Sequence, residues 1–252
     1  MGLKVMGWVA IAALATTVHA ETVLERVLAS YDAVQNVSCE IRRDTPLPDG
    51  GTLRMLSRVY FQRPDRLHVE NYSPVKRRIV CDGAVFRSYT EGASQGFSRP
   101  VEELNEDMLR NLRMVPGSAA NLLEVLAGTP EVPLEPTEEF PVRAGYDNGK
   151  SFAVLSLDAQ GRLARFEIYG SAAMTDLQTR TEFSAFQEVA PGAWIACRQQ
   201  ATITIQGMER TETTRVDNIV ANGEIPASLF EAGPFFAGVE FVDSFEKIAN
   251  GL

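Results

Sequence analysis

Outside its first twenty residues the chain contains one histidine, His68, and three cysteines, Cys39, Cys81 and Cys197. No C-x-x-C or H-x-x-x-H spacing occurs, so the close ligand pairs that hold a metal are missing. There is no P-loop and no G-x-G-x-x-G, which removes the usual backbone cradles for phosphates. Neither a metal nor a cofactor is therefore expected. Glu102-Glu103 and Glu138-Glu139 are adjacent carboxylates, and adjacent side chains on a helix or strand point apart. Cations are short as well. Lys and Arg number 24 against 33 Asp and Glu, a formal charge of −9. Nucleic-acid binders carry the opposite balance, so no nucleic-acid partner is expected. After residue 20 no apolar run approaches the eighteen residues that a membrane-spanning helix needs. No repeat at a fixed period and no low-complexity tract is present.

The first twenty residues have a character of their own. Lys4 is followed by the apolar stretch VMGWVAIAALATT and then by VHA. This pattern predicts a secretory signal cleaved after Ala20. Thirteen residues span about 20 Å as a helix, short of a bilayer core of about 30 Å. Loss of Lys4 takes the formal charge to −10. Residues 21–252 are read as a single domain with one large core. Export permits one disulfide among the three cysteines and leaves one thiol over. All three lie in strand-like runs beside apolar neighbours, which equally suits buried free thiols, and no pair is singled out.

Periodicity divides the remainder. Val23, Leu24, Val27, Leu28, Tyr31 and Val34 share one side of a helix expected over Glu21 to Asn36. The period then drops to two. VSCEI places Val37, Cys39 and Ile41 on one face, and TLRMLSRVYFQ places Leu53, Met55, Val59 and Phe61 there. In RLHVENY, Leu67 and Val69 oppose Arg66, His68 and Glu70, so His68 is expected to be partly exposed. RRIVCDGAVFRSY reads as two strands joined at Asp82-Gly83, a hairpin signal. Pro100 ends the strand pattern. Val101, Leu104, Met108, Leu109 and Leu112 follow at helical spacing, and a second helix runs through Leu122, Leu123 and Leu126. Thr129 to Pro141 carries four prolines and four glutamates and reads as a loop. Strands return from Ser151 onwards, and FVDSFEKIANGL reads as a terminal helix. The expected architecture is α+β and mainly β. Some ten antiparallel strands form a single curved sheet, with an N-terminal helix and a helical lid over an apolar hollow.

One motif suggests catalysis. Gly92-Ala93-Ser94-Gln95-Gly96 fits G-x-S-x-G, the elbow that presents a nucleophilic serine. The elbow needs a helix straight after the serine, and Pro100 follows too soon. The triad needs a histidine after the serine, and His68 precedes it. Gly and Ser are also what hairpin loops contain. No catalytic residue is assigned, and the chain is expected not to be an enzyme.

Arg63-Pro64 ends one strand immediately before the next begins. Proline removes a ladder donor there, and the arginine fork is placed to reach carbonyls or carboxylates of another element. A surface pair with Asp65 is the plainer alternative. From Ile41 to Pro100 there are eleven Lys and Arg against six Asp and Glu, a local excess suited to an acidic partner or anionic head groups.

The order of these pieces resembles the periplasmic carriers of outer-membrane lipoproteins, the LolA-like family. The matching residues are Arg63 and Pro64 at a strand end, Asp82 and Gly83 in a hairpin, and Tyr89. VDNIVANGEIPASLFE also resembles the late strand and the Phe-containing turn of such domains. The resemblance runs from about Val23 to Leu126 and is loose afterwards. It departs where those carriers have a tryptophan after Asp-Gly, since this chain reads Ala84-Val85-Phe86-Arg87. It departs again at Val69, where an aromatic is usual. The resemblance implies an incomplete barrel with helices over an apolar cavity, Arg63 tying the sheet to the lid, and a periplasmic location. Met55, Val59, Phe61, Leu67, Val69 and Phe86 are then the candidate lining. Lipid or lipoprotein acyl chains would be cargo, and an inner-membrane release complex and an outer-membrane receptor the partners of a monomeric carrier. A non-enzymatic sensor on the same fold, recognising a partner protein or a mislocalised lipid, is the alternative reading.

Overall fold

The computed structural model describes residues 21–205 and 208–244; the expected signal segment and most of the expected terminal helix lie outside these residues. Helix α1, Val23–Ser30, begins at Thr22, whose side chain accepts from the Glu25 N–H while Glu25 reaches back to the Thr22 N–H. This reciprocal cap satisfies two otherwise orphaned donors. A 3-10 turn, Tyr31–Ala33, completes the helical segment, so it stops short of the expected Asn36. Six strands follow: β1 Asn36–Pro46, β2 Thr52–Gln62, β3 Arg66–Ser73, β4 Arg77–Asp82, β5 Val85–Thr90 and β6 Gly96–Pro100. They pair in sequence order as an antiparallel meander. Asp82 makes the β4–β5 turn by accepting from the Ala84 and Val85 N–H groups, and Gly83 takes φ +97°. Only glycine adopts that angle without strain.

Helix α2, Glu106–Arg113, is capped by Asn105 and carries Glu106 and Asp107 in its first turn and Arg110 and Arg113 in its last, matching the helix dipole at both ends. Helix α3, Ala120–Leu123, is short. The chain then crosses to the far edge of the sheet. There β7 Glu131–Pro133, β8 Val142–Asp147, β9 Phe152–Leu157, β10 Leu163–Tyr169, β11 Leu177–Ala190, β12 Ala193–Ile205 and β13 Met208–Ala221 run back towards β1. The β1–β13 pair joins the two meanders, so among the described residues one sheet of fourteen strands results, not closed into a barrel. The segment expected to be a loop supplies β7, an edge strand that admits Pro133.

Helices α1 to α3 cover one face. Val23, Leu24, Val27 and Tyr31 pack on Val37, Cys39, Val59, Phe61, Leu155, Leu157, Ile195 and Val216. Leu112 of α2 packs with Cys81, Phe86 and Phe97. All three cysteines are free thiols; burial pushes Cys39 up to about 12 and Cys81 up to about 11.

The opposite face is covered in part by the chain's end. After β13 a 3-10 turn, Ala227–Phe230, leads to α4, Ala232–Phe235, and then to β14, Phe241–Val242, which pairs parallel with β6. In place of a helix at Phe241, a strand forms. The Phe241 ring lies over Gly96, where an added Cβ would meet it at 2.6 Å. Ala232 and Phe236 pack on Val80. His68 is therefore not partly exposed as its alternation suggests. It is 1% exposed, with Phe235 at 4.7 Å and Tyr60 at 5.8 Å between ring centroids. Neither ring nitrogen makes a hydrogen bond of good geometry among the described residues, although the Leu229 backbone lies close to the ring. Its charged surroundings are Glu70 at 3.7 Å and Arg78, which itself pairs with Glu70 and lies over Phe235. Burial is the main influence and lowers the imidazole pKa from its ordinary value; Glu70 and the Leu229 backbone act against it, and Arg78 acts with it. A lowered pKa in the docked state means that His68 binds a proton more readily when residues 227–242 are undocked. Docking of residues 227–242 is thus favoured above the ordinary histidine range and weakens as pH falls through it, near about 6.5. Backbone hydrogen exchange of 227–242, corrected for intrinsic rates, should be faster at pH 5 than at pH 7.5. His68→Phe, which keeps the ring stack, should flatten that difference.

Candidate functional site: two grooves beside the first helix

Polar ties hold α1 across the sheet at both ends. At its amino end the Val23 N–H donates to Glu131 Oε2 at 2.6 Å, and the Leu24 N–H donates to the Tyr146 hydroxyl at 3.1 Å. The Tyr146 hydroxyl in turn donates to Glu131. Burial, followed by the Glu131 carboxylate, raises the Tyr146 pKa, so the phenol keeps its proton. Just beyond the helix, the Tyr31 hydroxyl donates to the Trp194 carbonyl at 2.8 Å, and burial pushes that phenol up to about 12.

At the carboxyl end Arg63 donates from Nε to the Val34 carbonyl at 2.8 Å and from Nη2 to the Tyr31 carbonyl at 3.1 Å, with Asp32 at 3.8 Å. The arginine fork thus reaches carbonyls of another element. The alternative pair with Asp65 does not form. Asp65 accepts from Arg113 of α2 at 2.6 Å instead. The short β2–β3 turn therefore holds both helices.

A groove lies on each side of α1. The first, of about 750 Å³, runs between α1 and α2. Leu28, Ala29, Leu109, Met114, Val115 and Ala120 give it apolar walls. Its charged rim is Arg63, Arg110 and Arg113 with Glu25, Asp32, Glu106 and Glu124. The second, of about 450 Å³, runs between α1 and strands β8, β11 and β12. Val27, Tyr31, Val142, Phe183, Phe186 and Trp194 wall it. Arg162 stacks on Phe186 at 4.4 Å and on Trp194 at 5.3 Å, and pairs with Asp158 at 2.6 Å. Both volumes fall in the range of about 300–1,000 Å³ common to small-molecule sites.

The residues expected to line a cavity occupy other places. Val59 and Phe61 are packed beneath α1, with Leu67 and Val69 partly buried beside them. Phe86 packs under α2. Met55 lies partly exposed further along β2. None of the six lines either groove. The faces were read correctly, but a sheet residue under a helix fills the core, whereas the openings lie beside the helices. Leu28 and Leu109 had a signal in their helical spacing; Met114, Val115 and Trp194 had none.

Ser94 is exposed in the β5–β6 hairpin, between antiparallel strands, and β6 follows it where an elbow has a helix. Among the described residues no three His, Cys, Asp or Glu side chains gather to hold a metal, and no helix is long and apolar enough to cross a membrane. Several of the arginines of residues 41–100 are paired: Arg54 with Asp44, Arg58 with Glu40, Arg78 with Glu70 and Arg87 with Asp82.

No family model and no curated protein sequence matches the chain. Solved structures do. A DUF1329 family protein from Desulfovibrio piger is 12% identical at a TM-score of 0.52, covering 84% of this chain and 97% of that one. A LolA superfamily protein from Nitrosomonas europaea is 14% identical at a TM-score of 0.48, covering 82% and 95%. The chain shares the fold of the DUF1329 family protein. At 12% identity that likeness concerns the sheet and its helical cover alone, and the grooves are argued from this chain's own residues.

Proposed function

We propose that the chain is a non-enzymatic carrier of the periplasm that binds acyl chains, of a lipoprotein or another lipid, and transfers them toward the outer membrane. The observation that carries this reading is the apolar groove of about 750 Å³ between α1 and α2, two helices held to the sheet by the Arg63 and Asp65 contacts. Each buried CH₂ contributes about 0.8 kcal/mol, so an acyl chain in water gains strongly from such walls. A cover held by a few polar ties gives two states of similar energy, and cargo that favours one of them shifts the balance. No covalent step is needed for that task.

The test is to purify the protein from its native envelope, extract it with organic solvent and weigh the extract by mass spectrometry. About one acyl lipid per chain is expected. Arg63→Leu should keep the fold and release a bound acyl chain faster than the parent. A bare protein that neither carries nor takes up lipid would remove the carrier reading.

A further inference from the structure

The two grooves differ in charge. Around the α1–α2 groove three arginines face four carboxylates, and all three arginines are paired. At the second groove Arg26 and Arg162 face Asp158 alone. Arg162 is committed to Asp158 and to the aromatic wall. The exposed Arg26 side chain has no hydrogen-bond or ion-pair partner among the described residues. The groove thus combines an aromatic and aliphatic wall with one uncompensated guanidinium at its mouth. A guanidinium binds an anionic oxygen pair with two parallel hydrogen bonds.

We propose that the groove between α1 and strands β8, β11 and β12 binds a single acyl chain ending in one negative charge, with Arg26 meeting the head and Trp194 beside the chain. This rests on the reading of the protein as a lipid binder, and it assigns the anionic single-chain ligand to this groove rather than to the one between α1 and α2. A neutral or cationic amphiphile leaves Arg26 unmatched and loses the contact that distinguishes the two grooves. The volume of about 450 Å³ suits one chain better than several.

Trp194 makes the test local. The sequence has two tryptophans, Trp8 and Trp194, and removal of the expected signal, residues 1–20, leaves Trp194 as the single emitter. The probe is 9,10-dibromostearate, whose bromines quench indole on contact, compared with its neutral methyl ester. Saturable quenching at about one equivalent is expected, with the ester binding about tenfold more weakly. Arg26→Gln, on the exposed side of α1, should weaken the acid by a similar factor and leave the ester unchanged. Competition by lysophosphatidylglycerol separates the two sources of the head, a lipid phosphodiester if it displaces the probe and a free carboxylate if it does not. Equal binding of acid and ester, or an unaltered Arg26→Gln variant, overturns the proposal. Equilibrium dialysis of radiolabelled stearate keeps its failure apart from that of the carrier reading. Stearate uptake without Trp194 quenching sinks this groove alone, and absence of uptake sinks both.

Discussion

Phe61→Ala should lower the unfolding free energy by about 3–5 kcal/mol, read as a lower urea midpoint at an unchanged slope. Phe61 has no exposed surface and sits where β1 and β2 meet α1. Its removal costs the transfer of the ring and leaves a void that the pleated strands and the pinned helix cannot collapse to fill. The comparison that gives the number meaning is Leu53→Ala, eight residues earlier in the same strand and on the same face. Leu53 is 42% exposed, beyond the helical cover, and its truncation should stay within about 0.5 kcal/mol. A small loss at Phe61 would mean that α1 does not rest on this part of the sheet.

That contrast also shows what the sequence made legible. Alternation assigned Phe61, Val59, Met55 and Leu53 to one face, and the register of β1 with β2 places them there. Period two cannot say how far along a strand the helices extend, so buried Phe61 and exposed Leu53 looked alike. The meander β2 to β5 was readable because each turn carries its own chemistry, Arg63-Pro64 in one case and Asp82-Gly83 in another. The pairing of β1 with β13 was not. It brings Val37 beside Ala221 across most of the chain, and no local signal encodes such a partner.

His68 was misjudged for a related reason. Its strand predicts which face it occupies, but the residues that bury it arrive from Phe235, far away in sequence. The lid contact was half legible. Arg63 stood out beside Pro64, whereas Asp65 gave no sign that its partner would be Arg113 of α2. The grooves were the least readable feature, since an opening is defined by what the helices leave uncovered.

Glu131 lies in the stretch of four prolines and four glutamates that reads as loop, and its removal should produce the second large effect. Glu131→Ala should cost about 2–3 kcal/mol and loosen the first turn of α1, seen as faster hydrogen exchange there. The carboxylate accepts from the Val23 N–H and from the Tyr146 hydroxyl, and a negative charge at a helix amino end is favourable in itself. Without it, a helix donor and a buried phenol lose their acceptor together. Tyr146→Phe removes the donor to Glu131 and the acceptor for the Leu24 N–H, and should cost about 1–3 kcal/mol. Because the two side chains share one network, the double variant should lose less than the two single losses added, by at least about 0.5 kcal/mol. Additive losses would show that β7 and β8 do not act as one anchor. In that case α1 would be held by its apolar face and by Arg63, and only the carboxyl end of the helix would control how the grooves open.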